Sequence, residues 1–286
     1  MTQKIFVGDV QGCAPELAAL VARADAEFGR DYELWLVGDL INRGPDNRAV
    51  LHCVRALHRE GRARIVLGNH EIGLVLKWLG LREIKRRDTI QDLLGASDVR
   101  EWIDWLLTLP LVETGEVAGE AFAMVHAAVH PDWDRATLVA RARRASGRFA
   151  GVTPARLRDF LSDERLDDPD RQVLDRITRC RSVVDERGEW SDGPPGEIAG
   201  AEPWYDAWRR REHGYAVVYG HWAKQRLRIE PRLRGLDSGC VHHSPESPGW
   251  LTGWLPDDDA GFIHPDTRFW SFHPEGAASV PRDTEK

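Results

Sequence analysis

Lys4-Ile5-Phe6-Val7-Gly8-Asp9-Val10-Gln11-Gly12 is a run of β-forming apolar residues that stops at a glycine and a carboxylate. Such a run, closed by glycine, reads as a strand followed by a tight turn. The pattern returns four times. Glu33-Leu34-Trp35-Leu36-Val37 runs into Gly38-Asp39, and Ala63-Arg64-Ile65-Val66-Leu67 into Gly68-Asn69-His70-Glu71. Ala121-Phe122-Ala123-Met124-Val125 ends at His126, and Tyr215-Ala216-Val217-Val218-Tyr219 at Gly220-His221. Each strand thus ends in a residue able to bind a metal. One sheet edge can gather all five, because ligands in α/β folds sit outside the carboxyl ends of the strands.

Working outward, the segments between the first three strands carry helical spacing. Leu17, Leu20, Val21, Ala24 and Phe28 form one stripe, with Pro15 suited to a helix start. Ala49, Val50, Cys53, Val54 and Leu57 form another after Asp46, a fitting N-cap. A βαβαβ order predicts an α/β fold with a parallel sheet. The rhythm then changes. Helical inserts are expected at about 72–110, with a Trp102/Trp105/Leu106/Leu109 stripe, and at about 134–187. A loop is expected at Asp192-Gly193-Pro194-Pro195-Gly196, and strands again near Tyr215. One domain would span 1–273, followed by a disordered tail at 274–286.

The 286 residues are ample for a sizeable core. A net charge of -7 gives no reason to expect general nucleic-acid affinity, so a polyphosphate would need a local basic pocket or metal ions. No apolar stretch reaches membrane-spanning length, and Met-Thr-Gln-Lys enters a strand at once, leaving no room for a signal peptide. Cys13, Cys53, Cys180 and Cys240 lack C-x-x-C spacing and read as reduced thiols, not as a disulfide frame or zinc site. A cytoplasmic location is the expectation.

Asp9, Gln11, Asp39, Asn69, His126 and His221 are the candidate ligands. Carboxylate, amide oxygen and imidazole without thiolate suit Mn²⁺, Fe²⁺, Co²⁺ or Mg²⁺. Six ligands exceed what one catalytic ion with an open position needs. They suit two ions about 3.5–4 Å apart, bridged by one carboxylate. Gly8, Gly12, Gly38, Gly44 and Gly68 flank these ligands, where the backbone must turn sharply. Arg43 follows the candidate bridging Asp39 by four residues and can clamp phosphate oxygens. His70, beside a ligand, is a candidate to protonate a leaving oxygen.

These ordered motifs resemble the signature of calcineurin-like metallophosphoesterases. Arg43-Gly44-Pro45, Trp133 after His126-Ala127, Thr178-Arg179-Cys180-Arg181, Gly220-His221-Trp222-Ala223 and Leu236-Asp237-Ser238-Gly239-Cys240 resemble the bacterial symmetrical diadenosine-tetraphosphatase branch. The resemblance implies a four-layer α/β/β/α sandwich and a di-metal centre, most naturally loaded with Mn²⁺. It implies that Asp9 and Gln11 hold one ion, that Asp39 bridges, and that Asn69, His126 and His221 hold the other. Arg43 and His70 would contact phosphates, and Arg179, Arg181 and Trp222 would bind substrate. The implied reaction is attack of a metal-activated water on a dinucleoside tetraphosphate, giving two nucleoside diphosphates. Nucleoside-tetraphosphate caps at RNA 5′ ends carry the same bond.

Two positions depart from the wider superfamily. Gln11 stands where histidine is usual, and Asn42 where protein phosphatases carry the aspartate that orients the motif histidine. Asn42 argues against a Ser/Thr protein phosphatase, the first alternative. Gln11 motivates the second, a catalytically silent nucleotide-binding protein. Elsewhere, Arg135, Arg141, Arg143, Arg144 and Arg148 read as a solvated helix face. His130, His242 and His243 read as loop histidines, and Cys13 as structural.

Overall fold

The computed structural model describes residues 2–256, 261–262 and 268–274. The tail expected from Pro274 lies, beyond that residue, outside the described residues. The βαβαβ opening forms as expected: β1 (Gln3–Val7), α1 (Ala14–Phe28), β2 (Tyr32–Leu36), α2 (Asn47–Arg59) and β3 (Ala63–Ile65), with α3 (Asn69–Trp78) following. Pro15 sits in the first turn of α1. The Asp46 side chain caps α2 by accepting from the amide of Ala49 at 2.9 Å.

The first insert is not one helical stretch. It breaks into α3, the short α4 (Gln91–Leu94) and α5 (Val99–Leu106). Arg82 to Arg87 are all exposed, so no apolar stripe holds a helix there. Leu109 is buried but lies beyond the helix that carries Trp102 and Leu106. Then come β4 (Val112–Val117) and β5 (Glu120–Val125), a hairpin, and the second insert with α6 (Arg135–Ser146), α7 (Pro154–Leu161) and α8 (Pro169–Arg179). Here helix stops at Arg179, earlier than the expected 187. Ser182-Val183 instead forms β6, paired with β7 (Trp190–Ser191) and β8 (Glu202–Pro203) in a small sheet. The expected loop at 192–196 lies between β7 and β8. The chain ends with α9 (Trp204–Arg209), β9 (Ala216–Tyr219), β10 (Arg228–Glu230), β11 (Leu233–Gly235), β12 (Leu251–Leu255) and β13 (Arg268–Phe272).

Two five-stranded sheets result, in the orders β13-β12-β1-β2-β3 and β10-β11-β9-β5-β4. β1, β2 and β3 are parallel, as are β5, β9 and β11. The sheets face each other across an aromatic layer, in which Phe122 stands 5.2 Å from Phe6 and 5.1 Å from Trp35 by ring centroids. The intervening residues, Ile5 and Val7 or Leu34 and Leu36, join the second core cluster shared with Leu17, Val50 and Val54 of the covering helices. Both faces of each central strand are therefore buried, which explains unbroken apolar runs instead of alternation. The fold is α/β, a four-layer α/β/β/α sandwich, and it brings two sets of parallel strand ends to a common edge. Among the described residues no helix is long and apolar enough to cross a membrane.

Candidate metal centre

Asp39 lies at the middle of this edge. Its carboxylate accepts from the His70 amide at 2.8 Å and from Gln11 Nε2 at 3.3 Å, and lies 3.3 Å from His126 Nε2. Asp39, Gln11, His221, Asn42 and Arg43 all have positive φ, from 48° to 75°, in the left-handed region that side chains other than glycine rarely adopt. Each such residue costs on the order of 1 kcal/mol or more, a strain that concentrates at functional sites. Glu71 holds the turn in place. Its buried carboxylate accepts from the amides of Gly68 at 2.9 Å, Asp39 at 3.0 Å and Leu40 at 2.8 Å. Sequence spacing quoted Glu71 but gave it no role. Its position three residues after Gly68, at the start of α3, is the signal that marks it.

The second sheet docks onto this turn. The His221 amide donates to both Asp9 oxygens, at 3.0 and 3.1 Å. That approach needs a glycine before it, since a Cβ on Gly220 would lie 2.0 Å from Asp9 Oδ1.

The two histidines are oriented by backbone carbonyls. His126 Nδ1 meets Val37 O at 2.8 Å, and His221 Nε2 meets Arg179 O at 3.0 Å. Each of these nitrogens donates its hydrogen, so the other nitrogen of each ring carries a lone pair. Those lone pairs converge on oxygen. His126 Nε2 and His221 Nδ1 lie 3.0 and 2.7 Å from Asn69 Oδ1. In this orientation of the Asn69 amide, acceptors face acceptors, which a cation held by all three atoms relieves; turned over, the amide nitrogen would donate to one of them instead. Ligand atoms of Asp39, His126 and His221 all fall within 4.8 Å of one another. The residues present therefore fit a divalent ion, down to the carbonyl partners that fix metal-binding imidazoles. Gln11 is buried here too, with its amide nitrogen toward Asp39. Turning that amide over places its oxygen in the same spot.

The electrostatics agree. Burial, then Asp237 and Asp39, push the Asp9 carboxyl well above its ordinary value. Burial and Asp39 raise Glu71 to about 8. Burial acts the same way on Asp39, but His126 and His70 outweigh it and its carboxyl is held low. Burial lowers His126, and burial with Arg181 and His126 lowers His221 further, which pushes both toward the neutral form a ligand needs. Buried carboxylates repelling one another beside neutral imidazoles form a site that a cation stabilises.

His70 Nδ1 meets Ile41 O at 3.1 Å, and Nε2 stands 3.7 Å from Asp39 Oδ2. A carbonyl thus orients the ring, and Asn42 does other work: it donates to Asp88 at 3.1 Å and accepts from the Arg43 and Thr89 amides. Arg43 is 3.9 Å from Asp88, and its Nη1 is buried without a hydrogen-bond partner. Arg181 is half-buried, bonded to the carbonyl of Asp192 at 2.6 Å, and its field is felt at His126 and His221. The Arg179 guanidinium pairs with Asp192 instead, so that residue meets the site through its carbonyl. Trp222 packs toward Tyr205, with ring centroids 6.2 Å apart.

Other candidates settle into structural roles. Arg144 and Arg148 pair with Asp170 of α8, and Arg141 lies over Trp133. His130 stacks on Trp133 and His243 bonds to Gly249. His242 stands within the fields of Arg43 and His70. Two groupings join segments far apart in the chain. Cys13, Cys240 and Glu16 come within 4.8 Å of one another although far apart in the chain, with all four cysteines free. Asp237 is buried near Asp9, and burial with Asp39 raises its carboxyl to about 7.

The family model described as calcineurin-like phosphoesterase matches residues 4–225. A symmetrical bis(5′-nucleosyl)-tetraphosphatase from Janthinobacterium sp. (strain Marseille) is 37% identical, covering 82% of this chain and 88% of its own. A solved structure of a candidate diadenosine tetraphosphatase superposes with a TM-score of 0.60 at 25% identity, covering 98% of this chain and 93% of that one. A protein serine/threonine phosphatase from Saccharomyces cerevisiae gives 0.53 at 15% identity, covering 98% and 82%, a likeness of fold alone.

Proposed function

The chain belongs to the calcineurin-like phosphoesterases, and we propose that it cleaves dinucleoside tetraphosphates symmetrically into two nucleoside diphosphates. It is a hydrolase of a family built around a di-metal centre. The observation that carries the reading is the meeting of the His126 and His221 lone pairs with Asn69 Oδ1, at 3.0 and 2.7 Å. Identity of 37% across most of both chains to a symmetrical tetraphosphatase supports the substrate class.

In this proposal Asp9 and Gln11 hold one ion, Asp39 bridges, and Asn69, His126 and His221 hold the other. Mn²⁺, Co²⁺, Fe²⁺ and Mg²⁺ all suit this oxygen and imidazole set, and Mn²⁺ is the ion we propose. When bound, the pair of ions supplies Lewis acidity toward phosphate oxygens and a water acidified toward neutrality. The chain supplies the rest. Arg43, whose Nη1 makes no hydrogen bond and only a 3.9 Å ion pair with Asp88, would turn to a phosphate oxygen, and Arg181 adds positive charge felt at Asp39. His70, with Nδ1–H held by Ile41 O, would carry a second proton on Nε2 in its imidazolium form and pass that proton to the departing phosphate oxygen. Capped RNA carrying the same tetraphosphate bridge belongs to the same proposal.

Product analysis with diadenosine tetraphosphate and Mn²⁺ tests it. Adenosine diphosphate as the sole nucleotide product is the expected result. Equal amounts of mono- and triphosphate would rule out symmetric cleavage, and turnover of phosphoproteins alone would favour the protein-phosphatase alternative.

A further inference from the structure

β11 lies parallel to β9, pairing Gly235 with Tyr219, and the Leu236 amide continues the ladder to Tyr219 O at 2.8 Å. Asp237 therefore stands one strand over from His221, at the same edge of the same sheet. The pair Leu236-Asp237 also presses on the first loop: a Cβ on Gly8 would lie 2.3 Å from Leu236 O. Asp237 is 2% exposed. Its Oδ1 accepts from the Gly239 amide at 3.0 Å, but its Oδ2 is buried without a hydrogen-bond partner. Among charged neighbours it bears on Asp9 more strongly than Asp39 does. A buried carboxylate oxygen left unpaired is costly unless something fills its place.

We propose that Asp237 is an outer carboxylate of the metal centre, holding a water at the Asp9–Gln11 side and supplying negative charge that Gln11 lacks. The inference rests on the di-metal reading above. Ligand atoms of Asp39, His126 and His221 close to within 4.8 Å of one another, a group that includes neither Asp9 nor Asp237. With its unpaired Oδ2 behind Asp9, Asp237 would reach the ion through a water and is a positioning residue. The need for it follows from composition. Asp9 and a shared Asp39 are the only charges among the first ion's proposed ligands, and an amide binds transition metals less firmly than imidazole. A carboxylate behind the ligands compensates, as outer partners do at other metal sites.

The test is Mn²⁺ titration of the metal-free chain, followed by the electron paramagnetic resonance of unbound Mn²⁺. The unaltered chain should bind two ions. Asp237→Asn should keep one affinity and weaken the other roughly 10–100-fold. Asparagine retains the oxygen that Gly239 uses and removes a buried charge, so the metal-free variant should melt no lower than the parent. Gln11→Glu combined with Asp237→Asn moves the charge to the first loop and should restore the weakened site. Unchanged affinity at both sites in the single variant, or no restoration in the double, overturns the proposal while leaving the di-metal reading intact. An unaltered chain that binds fewer than two ions overturns that reading, and the proposal with it.

Discussion

The Nδ1 of His70 lies 3.1 Å from the carbonyl oxygen of Ile41. That contact fixes which ring nitrogen carries the hydrogen and which faces Asp39, and it does so without the aspartate that Asn42 replaces. His70→Gln should therefore lower kcat by roughly 100-fold or more, the usual worth of a placed general acid. Mn²⁺ binding should be unaffected. Equal loss of metal and activity in that variant would show His70 to be a structural support.

Arg43 Nη1 makes no hydrogen bond and lies 3.9 Å from Asp88 in an ion pair. Arg43→Ala should cost about 2–4 kcal/mol of transition-state stabilisation, the range for one strong preorganised contact. Steady-state kinetics on diadenosine tetraphosphate would reveal it, and a loss below tenfold would argue against a phosphate clamp.

Asp39 accepts from Gln11 and the His70 amide, and His126 Nε2 lies 3.3 Å from its Oδ1. Asp39→Asn should abolish turnover with Mn²⁺ and weaken both ions together, because each loses a ligand. Calorimetric Mn²⁺ titration checks it: loss of one ion only would sink the bridging assignment.

The metal-free protein should lose stability as pH rises from about 7 to 8. In that window histidines are mostly neutral in the unfolded chain. Asp237, raised to about 7, and Glu71, raised to about 8, are still partly protonated in the folded state at the lower end. A carboxyl with a raised folded value contributes stability below its unfolded value, and that stability vanishes as pH climbs through the folded value. Melting temperatures in chelator should fall across the window, and added Mn²⁺ should flatten the trend. A rising apo curve would refute the electrostatic account.

The ligands were legible in sequence because strand and turn chemistry are local. Apolar β-formers followed by Gly-Asp, Gly-Asn or Gly-His place a polar side chain at a strand's carboxyl end whatever the rest of the fold does. Local pattern also located α1 and α2, through their stripes and the Asp46 cap. It failed from Cys180 to Pro203, where two-residue strands pair across gaps too short to show any period.

The sequence by itself determined the residue types at five strand ends, the α/β alternation and the absence of a thiolate among the candidate ligands. Tertiary structure decided what depends on distance between segments remote in the chain. It alone put the carbonyl of Arg179 on His221 Nε2, 42 residues away, and Val37 O on His126, 89 residues away. Those carbonyls set the tautomers, and the tautomers turn two lone pairs inward. It alone gave Asp237 its place near Asp9, because β11 pairs with β9 and extends the same edge by one strand. A metal centre is made of directions as well as ligands, and directions are set by contacts that no local pattern encodes.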